Sequence, residues 1–250
     1  MSNTEVVNRG WTVTFAGVGI NLALGILYTW SIFKGAIAKS IEAGGEGAFN
    51  WELASLNDPY AVCCIVFAFA MILAGKCQDK FGPRVTALMG GVLVGLGFIW
   101  ISQTTNYVAW VIGFGVLVGV GIGFGYSSAT PPAIKWFPPA KTGLIAGLVV
   151  SGFGLGSLYI APVSKYIVDV WGLQSSMMFI GIAFLFVFCS LSLLLTNPPQ
   201  NYVPKGAAPS GGNTISKERA AMTEKSASAI MKTASFWKLW FVYCIGAGAG

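Results

Sequence analysis

The chain has 250 residues, a formal net charge of +6 and a mean hydropathy of +0.70. Hydrophobic residues make up 55% of it and charged residues only 10%, whereas a soluble domain carries about 25% charged residues. This composition excludes an ordinary soluble domain. A positive charge can indicate nucleic-acid binding, but no basic cluster is interleaved with aromatic residues that could stack on bases. We therefore expect no nucleic-acid partner.

Apolar runs recur along the chain, and each is long enough to cross about 30 Å of hydrocarbon as a helix. The sequence therefore predicts an all-α polytopic membrane protein. We place the spans at 11–33, 53–75, 85–102, 107–130, 143–165 and 175–196. A seventh begins near Phe236 and reaches Gly250, too short a run to span comfortably, so we expect the chain to be part of a longer protein.

Composition changes after the sixth run. We predict a six-helix transmembrane bundle at 1–196 and a cytoplasmic linker at 197–235, rich in Pro, Gly, Ser and Lys and with a short amphipathic helix near 216–233. Residues 236–250 begin a helix whose Trp237 and Trp240 suit a membrane interface. Six helices, a basic linker and a new span are typical of one half of a two-half transporter.

The positive residues indicate the orientation. With a cytoplasmic N-terminus and alternating spans, only three of the 15 Lys and Arg residues fall outside: Lys34, Lys39 and Lys165. This bias follows the positive-inside rule. We expect a multi-pass protein of the inner, cytoplasmic cell membrane, and a monomer.

Glycines recur at helix-packing spacing. Small residues let helix backbones approach closely in lipid, where no hydrophobic force holds helices together. The glycine spacing has two interpretations. The small residues either serve static helix packing or form smooth faces that allow the helices to rock. The stripes are Gly91 and Gly95; Gly115, Gly119 and Gly123; Gly143, Gly147 and Ser151; and Gly152 and Gly156.

The loop "GKCQDKFGPR" has the most specific motif, G-x-x-x-D-K-x-G-x-R, formed by Gly75, Asp79, Lys80, Gly82 and Arg84. We predict a gating loop in which Asp79 accepts hydrogen bonds at a helix N-terminus. Gly82 would allow a tight turn, Pro83 would start the next helix, and Lys80 and Arg84 would pair with a neighbouring helix end. The alternative is an ordinary charged turn. The motif resembles the loop signature of the major facilitator superfamily.

Three further stretches resemble the oxalate–formate antiporter and monocarboxylate porter branch of that superfamily: "GILYTW" at 25–30, "GYSSATPPAIKWFPPAKTGLIAGLVVSGFGLG" at 125–156 and "TASFWKLW" at 233–240. The resemblance runs from about 15 to 245. It implies a twelve-helix fold, of which this chain supplies the N-terminal half, and import or exchange of small carboxylates, often with a proton.

At one position the chain departs from the pattern of the oxalate-exchanging members, and this difference bears on the substrate. Oxalate-exchanging members tend to carry a tyrosine in the glycine run of the fifth helix, where this chain has Phe153. One fewer hydroxyl group favours a less polar cargo of the lactate type. The connection after the first span, "KSIEAGGEGAFNWELASLNDPY", is also longer than the resemblance implies.

Polar residues at the depth of a transport site are expensive and therefore functional candidates. Asn21 and Tyr28 are seven residues apart and share a helical face. The resemblance places Tyr126 on the cavity, where a phenol could donate a hydrogen bond to a carboxylate. The alternative for both tyrosines is an anchor at the membrane interface. Ser127, Ser128 and Thr130 are expected to bond to their own helix.

Phe153, Leu148 and Ser151 could form an apolar wall opposite, or pack in the core. Lys34 has two interpretations: it attracts the anion or couples to a proton, or it snorkels to the outer headgroups. Asp58, before Pro59, is expected to cap a helix.

The sequence has no histidine, the usual proton carrier near neutral pH. The resemblance implies that the arginine of the charge centre and its acidic partner lie in the second half. No nucleophile–base pair or metal cluster is present, and "GVGIGFG" lies inside a span, so we expect no catalysis, cofactor or metal. We predict proton-coupled transport of a lactate- or pyruvate-type monocarboxylate by rocker-switch alternating access. The alternatives are oxalate–formate exchange and a non-transporting receptor or scaffold on the same fold.

Overall fold

The computed structural model of the chain describes residues 8–199, 202, 204 and 232–248. The chain divides into two compact units, Met1–Lys205 and Gly206–Gly250. The helices of the first unit are α1 (Gly10–Ala43), α2 (58–81), α3 (83–101), α4 (Tyr107–Lys135), α5 (Thr142–Trp171) and α6 (Leu173–Leu194). In the second unit, α7 covers Ala234–Gly248.

The predicted all-α membrane architecture is confirmed, with five apolar helical segments of membrane-spanning length. The second segment, Leu53–Ile101, has 49 residues, far more than the roughly 20 that cross a bilayer once. Gly82 divides it, because its φ of 82° and ψ of 171° are not helical. A positive φ is costly for residues with a Cβ atom and not for glycine. The six predicted spans are therefore all present.

Several helices continue past the ends of the predicted spans, and α2 reaches residue 81 rather than 75 while α5 reaches Trp171 rather than 165. The first helix continues to Ala43 rather than ending at residue 33, with a 3-10 segment at Gly25–Thr29. The fourth helix continues through Pro131 and Pro132 to Lys135 rather than ending at residue 130. Two prolines leave two helical carbonyl groups without N–H partners, but membrane helices tolerate this where neighbouring groups compensate.

Glycines set the close helix pairs of the first unit. A Cβ atom added to Gly119 would lie 2.9 Å from the carbonyl oxygen of Cys63, so this stripe of α4 packs on α2. Gly91 and Gly95 pack on α6, where an added Cβ atom would meet Phe188 and Leu185. Helix α1 lies against α4, α5 and α6.

The long connection after α1 is folded onto one end of the bundle. Phe49 and Trp51 are buried, and the indole N–H of Trp51 donates to the carbonyl oxygen of Thr105 at 2.8 Å. Both rings also contact Trp110. We call this end, opposite to the loop Gly75–Arg84, the far end. The long connection is therefore a packed segment that covers the far end of the bundle.

Asp58 is the first residue of α2, not its N-cap, which is Asn57. Its carboxylate instead accepts a hydrogen bond from the Tyr107 hydroxyl at 2.5 Å. That bond joins α2 to the start of α4 at the far end. The carboxylate is thus used to fasten two helices.

The second unit contains α7, which begins at Ala234, close to the predicted start. Its Trp237 ring contacts Trp240 at 5.7 Å. The predicted linker, 197–235, and its amphipathic helix near 216–233 lie largely outside the described residues.

Candidate functional site

Four aromatic rings from four different helices meet on one side of the first unit. Phe153 of α5 contacts Tyr28 of α1 and Tyr126 of α4, each with ring centroids 5.2 Å apart and edge-on. Phe67 of α2 stacks on Phe153 at 6.3 Å and meets Tyr126 at 5.8 Å. We call these residues the four-ring cluster. The structure thus brings together three of the residues that the sequence selected.

Exposure within the four-ring cluster is graded. Phe153 is 9% exposed, whereas Tyr28 is 48% exposed. Tyr126 and Phe67 are half-buried. The cluster therefore has an apolar centre and a tyrosine on its open side, which can offer both ring surface and a hydroxyl group to a small molecule.

Asn21 lies one turn before the 3-10 segment of α1 and is fully buried. Its side-chain N–H donates to the carbonyl oxygen of Val149 on α5 at 2.7 Å. Tyr28 also contacts α5, so the two residues do lie on the same side of α1, as predicted. The side-chain oxygen of Asn21 accepts no hydrogen bond from the described residues. A buried acceptor without a donor is costly and marks a place where a polar group could bind.

The crossing of α1 and α5 beside Asn21 is unusually close. A Cβ atom added to Gly156 would lie 2.4 Å from the carbonyl oxygen of Leu22 and 2.9 Å from the Cα atom of Gly25. Only glycine fits on both sides of this contact. The crossing fixes Asn21 and the four-ring cluster with respect to each other.

The other candidates lie elsewhere. Ser151 is exposed, and its hydroxyl donates to the carbonyl oxygen of Leu148 within α5. On an α-helix Ser151 points about 160° away from Phe153, so these residues do not form one wall. Leu148 is half-buried on α5. Lys34 is half-buried within α1, not at its end, because the helix continues to Ala43.

The loop Gly75–Arg84, which the sequence predicts to be a gate, has part of the expected geometry. Gly82 has the positive φ of the turn and Pro83 follows it. The guanidinium Nε–H of Arg84 donates to the carbonyl oxygen of Leu195 at 2.8 Å. Leu195 directly follows α6, so Arg84 does bind a neighbouring helix end. Such a bond satisfies a carbonyl group that the helix leaves unpaired.

The other two charges of the loop differ from expectation. Lys80 lies over the ring of Phe81, its sequence neighbour, at 5.2 Å rather than pairing with another helix. Asp79 is exposed and accepts no hydrogen bond from the residues that the structure describes.

Comparison with known proteins gives the family. The family model described as Major Facilitator Superfamily matches residues 15–250. The chain belongs to the Major Facilitator Superfamily. Members of this superfamily are transporters, and the predicted resemblance is confirmed.

The relatives of this superfamily chain include three with printed names. An uncharacterized MFS-type transporter, YhjX of Escherichia coli, is 32% identical over 80% of this chain and 48% of that protein. The oxalate:formate antiporter of Oxalobacter formigenes is 24% identical over 94% of this chain and 51% of that protein. Human monocarboxylate transporter 11 is 25% identical over 69% of this chain and 35% of that protein. The chain spans about half the length, or less, of these relatives.

Two features of this superfamily chain were not predicted. Phe67 joins the four-ring cluster, but within an apolar run nothing distinguishes it from its neighbours. Trp136, in the loop after α4, donates its indole N–H to the carbonyl oxygen of Thr196 at 2.8 Å. Together with Arg84 it holds the exit of α6 at the gating-loop end. No local pattern around Trp136 indicates that contact.

Proposed function

We propose that the full-length protein is a secondary active transporter that moves a small monocarboxylate of the lactate or pyruvate type, coupled to a proton, by rocker-switch alternating access. The observation that carries this proposal is the four-ring cluster. It has a phenylalanine at its centre and tyrosines beside it. The membrane fold and the superfamily support transport in general, and the cluster supports the kind of cargo.

A lactate-type anion has a carboxylate at one end and a methyl group at the other. Tyr28 and Tyr126 can donate hydrogen bonds to a carboxylate, while Phe153 and Phe67 offer an apolar surface to the methyl group. A dicarboxylate would place a second charge against that apolar surface at a high desolvation cost. The cluster therefore favours a cargo with a single carboxylate.

Neutralising the anion requires more than phenols, since a buried charge needs a cation or several donors. We infer that the cation and its acidic partner lie on helices of the second half, as the family resemblance implies. The orphaned oxygen of Asn21 would then accept a hydrogen bond from the cargo hydroxyl, from water or from a proton-carrying group.

Alternating access requires helix faces that part and meet again. The outward stripe of α5 fits this role, because Cβ atoms added to Gly143, Gly147 and Gly154 would meet no atom within 4 Å in the described structure. We propose that the second helical bundle rocks against this smooth face. Contacts between small residues permit close approach without interlocking side chains.

Purified full-length protein in proteoliposomes tests the proposal. We expect labelled lactate to accumulate when an inward proton gradient is imposed, and not after the gradient is collapsed. Tyr126→Phe removes one donor while the ring stays, and should weaken lactate binding about tenfold, as loss of one hydrogen bond to a charged group does. Absence of uptake for every carboxylate tested would exclude carboxylate transport. An unchanged KM for lactate in Tyr126→Phe would exclude a hydrogen bond from the Tyr126 hydroxyl to the cargo.

Oxalate–formate exchange is the second candidate, favoured by the relative that covers 94% of this chain. In that case uptake would be stimulated by internal formate and would be indifferent to the proton gradient. The same vesicles therefore distinguish the two modes.

A further inference from the structure

A groove between α1, α5 and α6 begins at the far end and continues toward the middle of the helices. Its first part is a polar cavity of about 650 Å³, lined among others by Lys39, Lys165, Asp169, Gln174 and Ser175. Its second part is an apolar groove of about 170 Å³, lined among others by Ile26, Val163, Phe179 and Ala183. The same three helices thus line a polar and an apolar compartment in succession.

The two compartments adjoin. Ser164 and Ile167 line the apolar groove, and the residues that follow each of them, Lys165 and Val168, line the polar cavity. Trp171 of the polar cavity contacts Phe179 of the apolar groove, with ring centroids 5.4 Å apart. Trp171 is half-exposed, as tryptophans at the headgroup level of a bilayer are. Such a tryptophan suits a junction between the headgroup and acyl-chain levels of a bilayer.

The charge of the polar cavity favours an anion. Two lysines face one carboxylate, Asp169, and both ammonium groups lack an ion pair with the described residues. Gln174 and Ser175 belong to the first turn of α6, whose backbone N–H groups add to the positive potential. Gly47 and Phe49 of the folded connection also line the cavity.

We propose that this groove binds a phospholipid with an anionic headgroup. The phosphate would lie between Lys39 and Lys165, and an acyl chain would lie along the apolar groove. A soluble anion would use only the polar cavity, and a neutral lipid would gain nothing from the two lysines. An anionic lipid matches both compartments. With the predicted topology, the site lies in the outer leaflet.

Native mass spectrometry of the full-length protein tests the headgroup. The protein is incubated in detergent with phosphatidylglycerol or with phosphatidylcholine of the same acyl chains. We expect preferential retention of phosphatidylglycerol, and a loss of affinity of about fivefold for each of Lys39→Gln and Lys165→Gln. The controls are the single variants Lys135→Gln and Lys141→Gln, each of which removes one positive charge at the end of the loop Gly75–Arg84. Equal retention of the two lipids, or equal loss in the controls, would overturn the proposal.

A second pair of variants tests the acyl chain. Ala183→Trp fills the apolar groove and leaves every charge in place, and its control is Ile182→Trp, at the exposed neighbouring position. We expect Ala183→Trp to lose phosphatidylglycerol while soluble glycerol phosphate still binds, and Ile182→Trp to retain the lipid. Unchanged lipid retention in Ala183→Trp would indicate a site for soluble anions only and contradict the proposal. The measurement involves no transport, so its outcome is independent of the proposed function.

Discussion

At the scale of single residues, the two polar groups of the Asn21 side chain have different roles. Its N–H group binds a carbonyl oxygen of α5, and its own oxygen has no donor within the described structure. Leucine has a similar shape and removes the orphaned acceptor. We therefore expect Asn21→Leu to change the free energy of unfolding by less than about 1 kcal/mol.

The same variant should reduce lactate uptake about tenfold if the oxygen accepts a hydrogen bond from the transported species. Thermal unfolding in detergent and uptake into proteoliposomes are the two measurements. Thr14→Val is the matched control, since Thr14 is also buried in α1 but bonds only to Gly10 of its own helix. Unchanged lactate uptake by Asn21→Leu would show that Asn21 does not bind the transported species.

Phe153 determines how polar the four-ring cluster is. Phe153→Tyr would add a hydroxyl group to the central ring of the cluster, whose centroid lies 5.2 Å from the ring centroids of Tyr28 and Tyr126. One more donor should stabilise a second carboxylate, so we expect the preference for oxalate over lactate to rise about tenfold. The ratio of kcat/KM for the two anions measures this. An unchanged ratio would mean that position 153 does not select the cargo.

At the scale of helices, apolar length predicted how many spans there are but not where each helix ends. The run that fits the bilayer stops near residue 33, yet "WSIFKGAIAKSIEA" continues as helix because alanine, lysine and glutamate are good helix formers. Likewise, the fourth apolar run ends near residue 130, but α4 continues through Pro131 and Pro132 to Lys135. The π-helical segment Val111–Val118 depends on packing that no local pattern reveals.

The residues of the candidate site were likewise predicted only in part. Tyr28 could be selected because a polar residue stands out within an apolar run, whereas Tyr126 and Phe153 were selected through the family resemblance. Phe67 could not, because it is one phenylalanine in an apolar helix and only the fold brings it to the cluster. Ser151 stood out equally, but its position on α5 directs it away from Phe153.

The crossing of α1 and α5 gives a prediction at this scale. Gly156→Ala would put a methyl group 2.4 Å from a backbone oxygen of α1, and backbone cannot move aside as a flexible side chain can. We expect a destabilisation of about 1–3 kcal/mol, as for other overpacked sites. A lower unfolding temperature of the detergent-solubilised protein would show it.

Gly154→Ala is the control for that change. It lies two residues away on the same helix, where an added Cβ atom meets nothing within 4 Å of the described structure. Alanine should be neutral there, or stabilising by about 0.5–1 kcal/mol. Equal changes in the unfolding temperature of Gly156→Ala and Gly154→Ala would mean that helix propensity, and not the close crossing, determines the effect on stability.

At the scale of the whole molecule, a smooth face of α5 is left uncovered in the described structure of the first unit. Gly143, Gly147 and Gly154 have open space beside them, in contrast to Gly152 and Gly156 on the other side of the same helix. In the proposed transporter, the second bundle rocks against this face. A large side chain there should block closure without disturbing the first unit.

Gly147→Trp in the full-length protein tests this mechanism. Because no described atom lies within 4 Å of an added Cβ atom, we expect the unfolding temperature to stay near that of the unmodified protein. Lactate uptake should fall at least about tenfold, since a bulky ring prevents two small faces from approaching. Leu193→Trp, at an exposed position of α6, should leave uptake unchanged. Normal transport by Gly147→Trp would show that α5 does not meet the second bundle during the cycle, and the rocking interface would then have to be sought on another helix.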